Sequence, residues 1–272
     1  MKKILLEVFL ILFILFLVIF SILPFYIMFN VAFKTPEDLV AGPCVPSKSL
    51  FVGSFIEAWN VVGRPFLNSM AFTLPATVIS SFLGSMAGFV FSKYRFKGDR
   101  IILTIVTLGF YVSPQAILVP LIKFISLLGL YNTILGLILT HTAYGMPITT
   151  LLFKNYFDTI PKELIESAAI DGAGTATTYS RIMLPLSPPI FAVVSVFQFV
   201  NIWNEYLWGL VLTQGAASQT VQVAVANLKG TTLAAWNVQM AGATIAAIPT
   251  LMIYLIAFKL VIKGLIQGAV KG

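Results

Sequence analysis

Apolar stretches of eighteen or more residues leave a chain few choices. About 20 residues of helix cross the roughly 30 Å of hydrocarbon in a bilayer, and a helix satisfies its own backbone there. Six such windows can be drawn in these 272 residues: Ile4–Phe29, Phe66–Phe91, Ile101–Ile122, Leu130–Phe153, Pro189–Leu212 and Val238–Ile262. Only 10% of the residues are charged and 58% are hydrophobic, whereas soluble domains carry roughly a quarter charged residues. The expected fold is an all-α membrane protein with six transmembrane helices.

Basic residues orient these windows, because short cytoplasmic loops retain Lys and Arg. With both termini in the cytoplasm, the inner segments hold Lys2, Lys3, Lys93, Arg95, Lys97, Arg100, Lys154, Lys162, Arg181, Lys259, Lys263 and Lys271. The outer ones hold Lys34, Lys48, Arg64, Lys123 and Lys229, so twelve of the 17 basic residues lie inside. The formal charge of +7 is thereby accounted for by topology. Nucleic acid is not implied, since no basic patch is interleaved with stacking aromatics. Lys2-Lys3 ahead of an apolar run resembles a signal peptide, but the run is too long and lacks a small-residue cleavage site, so it is expected to stay as an anchor. Cys44 is the single cysteine, which excludes an intrachain disulfide.

The windows differ in texture. The first is Leu, Ile and Phe on every face and is expected to be a peripheral, lipid-facing helix, followed by an irregular external loop from Asn30 to Pro65 with a short interfacial helix at Ser54–Trp59. This gives an N-terminal part, 1–64, and a five-helix core, 65–272. The second window carries Ser, Thr and the pair Gly84 and Gly88, a small-xxx-small spacing that lets helix backbones approach; its polar residues read as packing glue. Pro114 beside Gln115 should bend the third window into a cavity wall. His141, in the fourth, reads as a hydrogen-bonded packing residue, there being no second histidine to build a zinc site. The loop Gln214–Asn237 is too polar to span.

The fifth window holds Gln198, Asn201, Asn204, Glu205, Tyr206 and Trp208. At 100° per residue Gln198, Asn201 and Glu205 share one stripe, with Asn204 and Trp208 at its edge. An acid buried at mid-membrane costs about 2.5 kcal/mol or more and is a functional hypothesis by default. Acids and amides bracketed by aromatic rings suit a sugar, with acceptors for hydroxyls and ring faces for C–H surfaces. A subunit-interface network is the other reading of the same residues.

Between the fourth and fifth windows lies a polar island, 156–187. Asp158 or Thr159 is expected to cap a helix of about ten residues, with Pro161 in its first turn and Glu163 and Glu166 at its positive end. Leu164, Ile165, Ala168 and Ala169 give it a narrow apolar face, and Gly172 stops it in the left-handed conformation. Thr175 or Thr177 can cap a second helix through Tyr179, Arg181 and Ile182 to Leu184-Pro185. The expected product is a helix-turn-helix elbow on the cytoplasmic side.

This island resembles the "EAA" loop of ABC importer permeases, in Glu166, Ser167, Ala168, Asp171, Gly172, Ala173, Ile182, Leu184 and Pro185. Ser167 in place of Ala is a mild departure, being small enough for a close contact. The Asn201–Tyr206 run resembles carbohydrate-type ABC permeases, and Lys263–Gly272 resembles the end of maltose-type permeases. The resemblance implies the type I ABC importer permease fold, with the elbow docking into a cytoplasmic ATPase subunit. It also implies that the tail (263–272, with Gln267, Gly268 and Lys271) inserts between ATPases, and that Gln115, Gln198, Asn201, Asn204, Glu205 and Trp208 line a substrate pathway. Implied partners are a second homologous permease, two ABC ATPase subunits, an extracytoplasmic sugar-binding protein and membrane lipid, in a bacterial or archaeal cytoplasmic membrane.

No Gly-x-x-x-x-Gly-Lys-Ser/Thr occurs, so the chain itself should bind no cofactor, and ATP and Mg belong to the partner ATPases. An intramembrane enzyme would need a catalytic constellation, and neither His-Glu-x-x-His nor Gly-x-Ser-x-Gly is present. The expected function is passage of a sugar or oligosaccharide. Glycerol phosphate or another polar solute, and an ion-coupled secondary transporter, are the alternatives; the last should show internal repeats and several buried acids.

Overall fold

The computed structural model describes residues 2–228 and 236–269, with side chains over 3–228 and 236–256. Its described regular structure is helical throughout: α1 (Lys2–Ala32), α2 (Gly53–Lys93), α3 (Asp99–Gly109), α4 (Leu118–Leu127), α5 (Ile134–Asp158), α6 (Glu163–Ile170), α7 (Thr175–Thr178), α8 (Pro188–Trp203), α9 (Leu207–Leu212), α10 (Val221–Asn227) and α11 (Trp236–Ala269). Four of these, α1, α2, α5 and α11, are long and apolar enough to cross a membrane. The segment 175–183 together with α8, bent by 89°, makes a fifth candidate. The chain divides into two compact units, Met1–Arg64 with Val223–Ile248, and Pro65–Gln222 with Pro249–Gly272.

In the first unit, α1 exposes its Leu, Ile and Phe side chains along most of its length, as its uniform apolar composition predicts. The loop after it is shorter and better built than expected, covering only 33–52 before α2 begins at Gly53. Asn30 Nδ2 donates to the carbonyls of Pro43 and Val45, both at 2.8 Å. Lys34 is fully buried, and its ammonium donates to the Gly42 carbonyl at 2.7 Å and the Asp38 carbonyl at 3.3 Å. Those bonds are what allow a lysine out of water. The predicted interfacial helix at 54–59 is the first turn and a half of α2 itself. Its Ala58 meets Ala32 and Ala241 in a core of small side chains, which bring helix backbones close.

In the second unit the Gly84/Gly88 spacing does what its pattern predicts. A Cβ on Gly84 would lie 2.5 Å from Thr149 Cβ, and one on Gly88 2.7 Å from the Lys154 backbone nitrogen, so α2 and α5 approach closely at both glycines. Thr149 Oγ1 spans the contact, donating to the Ser80 carbonyl at 3.1 Å.

Two predicted windows are not continuous helices. Ile101–Ile122 is split into α3 and α4, each under eighteen residues, so the sixth expected crossing is not one helix. Gly109 ends α3 and Ser113-Pro114 lies within the break: proline donates no N–H and drives the residue before it away from helical geometry. The window Pro189–Leu212 is likewise divided at 204–206 into α8 and α9. The polar loop 214–237 carries the short α10. The tail helix α11 runs to Ala269, while the side chains of Gln267 and Gly268, and Lys271 altogether, lie outside the described residues.

Candidate functional site

Two places in the second unit carry the residues singled out from sequence. The first is a cavity of about 350 Å³ beside the α8–α9 break, walled by Phe110, Pro114, His141, Tyr144, Gly145, Ile148, Phe197, Gln198, Asn201, Ile202, Glu205 and Trp208. Gln198, Asn201, Glu205 and Trp208 are thus brought together. Asn204 and Gln115 are not among the lining residues. Asn204 is exposed and donates to the Val200 carbonyl at 2.9 Å, and Gln115 accepts from the Ser113 hydroxyl in the turn between α3 and α4.

The shared stripe proposed for Gln198, Asn201 and Glu205 does not survive, because α8 ends at Trp203 and Glu205 lies beyond it. Asn201 and Asn204 each bond the carbonyl four residues back, at 3.0 and 2.9 Å, the kind of local side-chain bond that competes with a regular helix ladder. The Glu205 carboxylate accepts from the Trp208 backbone N–H at 2.9 Å and from Gly209 at 3.4 Å, capping α9. Gln198 is buried and donates to Ser80 Oγ at 3.2 Å. It sits so close to Gly145 that a Cβ there would lie 2.2 Å from its Nε2.

The aromatic wall was only partly legible. Trp208 meets Tyr144 edge-on, with ring centroids 4.7 Å apart, and His141 at 5.1 Å. His141 in turn stacks on Phe72 at 5.3 Å. It is a packing residue, held by ring faces. Tyr144, which the polar and small residues of the fourth window suggest for a cavity wall, lines the cavity together with Phe110 and Phe197, which had no role assigned from sequence. A spacing signal existed for Tyr144, which is one helical turn from His141 on α5. A second, almost wholly apolar cavity of about 310 Å³ shares Tyr144 and Trp208.

The second place is the elbow. The helix α6 has eight residues, Glu163–Ile170, and its N-cap is Lys162, without a side-chain bond. Asp158 does not cap it. That carboxylate takes bonds from Ser92 Oγ and Lys154 Nζ, each at 2.7 Å, and Thr159 Oγ1 turns back to the Tyr156 carbonyl. At the other end the expectation holds: Gly172 has φ +80°. Gly172 N–H donates to the Ala169 carbonyl at 3.0 Å and Ala173 N–H to the Ala168 carbonyl at 2.9 Å. This pair of bonds is the Schellman stop, with glycine at the left-handed position. It gives a physical reason for the order of Ala168, Asp171, Gly172 and Ala173.

After the turn, α7 starts from Gly174 with no cap from Thr175 or Thr177, and the chain widens into a π-helical turn at Tyr179–Met183. Tyr179, Met183 and Ile160 are buried with Phe89, Phe153 and Phe157, which anchors the elbow to α2 and α5. Lys93 Nζ donates to the Ile160 carbonyl at 2.6 Å and the Tyr179 hydroxyl bonds Ser85 Oγ at 2.5 Å. Of the expected apolar face of α6, Ile165 packs inward and Ala168 is buried, but Leu164 and Ala169 are exposed. Ile170 is 86% exposed, and Glu166, Ser167, Asp171 and Gly172 are exposed too. A groove of about 490 Å³ runs past Ser167, Ala168, Asp171, Gly172 and Ala173 to Arg181 and Ile182.

Residues 80–267 match the model of the binding-protein-dependent transport system inner membrane component family, and the chain belongs to that family. It is 53% identical over 187 residues to a probable ABC transporter permease protein of Pyrococcus horikoshii, covering 68% of each chain. It is 32% identical to the melibiose/raffinose/stachyose import permease protein MelC of Bacillus subtilis, over 92% of this chain and 91% of that one. Its fold matches a chain of a bacterial ABC transporter involved in the import of the acidic polysaccharide alginate, with a TM-score of 0.78 at 20% identity, covering 93% of this chain and 96% of the other.

Proposed function

We propose that this chain is the transmembrane subunit of an ATP-driven importer, forming half of the pathway for a sugar or oligosaccharide handed over by an extracytoplasmic binding protein. The observation that carries the reading is the cavity wall, in which Trp208, Tyr144, Phe110 and Phe197 offer ring faces while Asn201 and Gln198 offer polar atoms. That combination fits a ring with apolar C–H faces and hydroxyl edges. The lining includes one carboxylate and no Lys or Arg, which disfavours glycerol phosphate. The relative named for melibiose, raffinose and stachyose import supports a neutral sugar.

In this reading a second, homologous permease supplies the other half of the pathway. Two ABC ATPase subunits bind ATP and Mg and close on hydrolysis-competent nucleotide. Their closure moves the exposed Glu166–Ala173 surface. Because Tyr179, Met183 and Ile160 bury the elbow against α2 and α5, that displacement passes to α5, which walls the cavity, and the site turns from inward-facing to outward-facing. Ligand delivery follows, and hydrolysis resets the path. The complex belongs in the cytoplasmic membrane of a bacterium or archaeon, with 1–64 as an N-terminal anchor, 65–272 as the permease core and the 263–272 tail as a contact for the ATPases.

Asn201 is exposed at the cavity, so Asn201→Trp should fill it without disturbing a buried contact. Uptake of labelled maltose, melibiose and raffinose by cells expressing the complex is expected to fall at least about tenfold for whichever is transported, with unchanged recovery of the complex; a difference of that size is about 1.4 kcal/mol in the barrier. Unchanged uptake would sink the pathway assignment.

A further inference from the structure

Glu205 is the acid that sequence offers to a solute, yet its carboxylate is turned onto its own chain. Oε1 and Oε2 lie 3.0 and 2.9 Å from the Trp208 amide nitrogen, and Oε2 is also 3.4 Å from that of Gly209. Both N–H groups belong to the first turn of α9, where no carbonyl of the helix can take them. Inside hydrocarbon an interrupted helix is tolerated when its freed backbone groups find partners, and Glu205 supplies one at the break.

The consequence falls on Trp208, whose own backbone N–H is the one held. Where that N–H is fixed, the start of the indole is fixed with it. Gly209 pins the next residue from the other side, since a Cβ there would meet Thr220 Oγ1 at 2.5 Å. The indole is 1% exposed, set against Tyr144 and His141. Its Nε1–H has no acceptor among the described residues, although a buried donor is normally paired. Trp208 is among the residues that line the cavity with Asn201 and Glu205.

We infer that Glu205 is a positioning residue that acts through Trp208, and that the Trp208 Nε1–H is a donor held ready for a hydroxyl oxygen of the solute. This rests on the cavity being the translocation path. Glu205 then contributes an acceptor for backbone N–H groups, and its negative charge is not what the solute meets.

The test uses the full chain in its purified complex, labelled with 5-fluorotryptophan, with the Trp208 fluorine resonance assigned by its loss in Trp208→Phe. Glu205→Ala is expected to move that resonance by more than its own width. Glu205→Gln, whose amide oxygen can take the same N–H, should leave it in place. If the alanine variant does not assemble, Glu205→Met keeps the bulk without a strong acceptor and carries the comparison. Uptake of the transported sugar among maltose, melibiose and raffinose should fall about tenfold in Glu205→Ala and in Trp208→Phe. The double variant should be no slower than the slower single one, because both act by one route.

A stationary resonance in the alanine or methionine variant overturns the inference. So does displacement in the glutamine variant as large as in alanine, or a double variant in which the two losses multiply. The Asn201→Trp block separates this from the larger reading: a block that abolishes uptake alongside a stationary Trp208 resonance sinks only the positioning role, while an ineffective block sinks the pathway itself.

Discussion

Gly88→Val is expected to destabilise the protein and lower its thermal midpoint. A single Cβ at this position would lie 2.7 Å from the Lys154 amide nitrogen, 2.8 Å from Phe153 Cβ and 3.0 Å from the Thr150 carbonyl oxygen. Two of the three are backbone, so no rotamer change in α5 relieves the clash. The helices must move apart, breaking the Phe89, Phe153 and Phe157 cluster beneath them. Overpacking of this kind costs about 1–3 kcal/mol, and more where backbone has to shift. For a chain of this size that is on the order of 5 °C in the thermal midpoint of the purified protein. Gly174→Ala is the control: its φ is −73° and nothing lies within 4 Å of an added Cβ, so its midpoint should be unchanged. Equal midpoints for Gly88→Val and the parent would mean that α2 and α5 are not packed as described.

The second large effect is on coupling. Gly172 holds φ +80° with open space around it, so Gly172→Val meets no steric neighbour and is disfavoured by conformation alone. A left-handed L-residue costs roughly 1–2 kcal/mol, and a β-branched one is worse placed still. The turn should unwind locally, losing the two bonds to Ala168 and Ala169 and with them the relation between α6 and the π-helical turn. Because Tyr179, Met183 and Ile160 stay buried, the chain should still fold and assemble. ATPase stimulation by the loaded binding protein is expected to drop at least about tenfold, or 1.4 kcal/mol in the coupling step, while the binding protein keeps its own sugar affinity. Glu166→Lys, at an exposed position, should weaken the same stimulation without touching the turn. Full stimulation in both variants would argue against the elbow as the docking surface.

Those two glycines show why parts of this molecule are legible in sequence. Gly84 and Gly88 recur at helical spacing in a window otherwise rich in small polar residues, and a close backbone approach is the physical use of that pattern. Gly172 follows an apolar stripe and two acids, which is helix-stop chemistry written within ten residues. Local causes of this kind read directly.

What did not read was competition. Asp158 and Thr159 are sound N-cap residues, but Ser92 on α2 and Lys154, one turn back on α5 itself, take the carboxylate first. Hydropathy windows average over single residues, so the break at 204–206 was invisible to them, whereas Pro114 marked the bend in the third window, and a uniform 100° step carried Glu205 onto a continuous helix face that the break removes. Its capping role depends on knowing that α8 ends at Trp203. The aromatic wall could not be assembled because Phe110, Tyr144 and Phe197 come from three different segments. Their neighbourhood is a tertiary fact.

Affinity purification of the tagged chain from native membranes, followed by an ATPase assay, tests the central claim most directly. The account predicts a homologous second permease and an ABC ATPase in the eluate, with ATP hydrolysis that rises when a sugar-loaded binding protein is added. Recovery of this chain alone, moving a solute in vesicles without ATP, would contradict it.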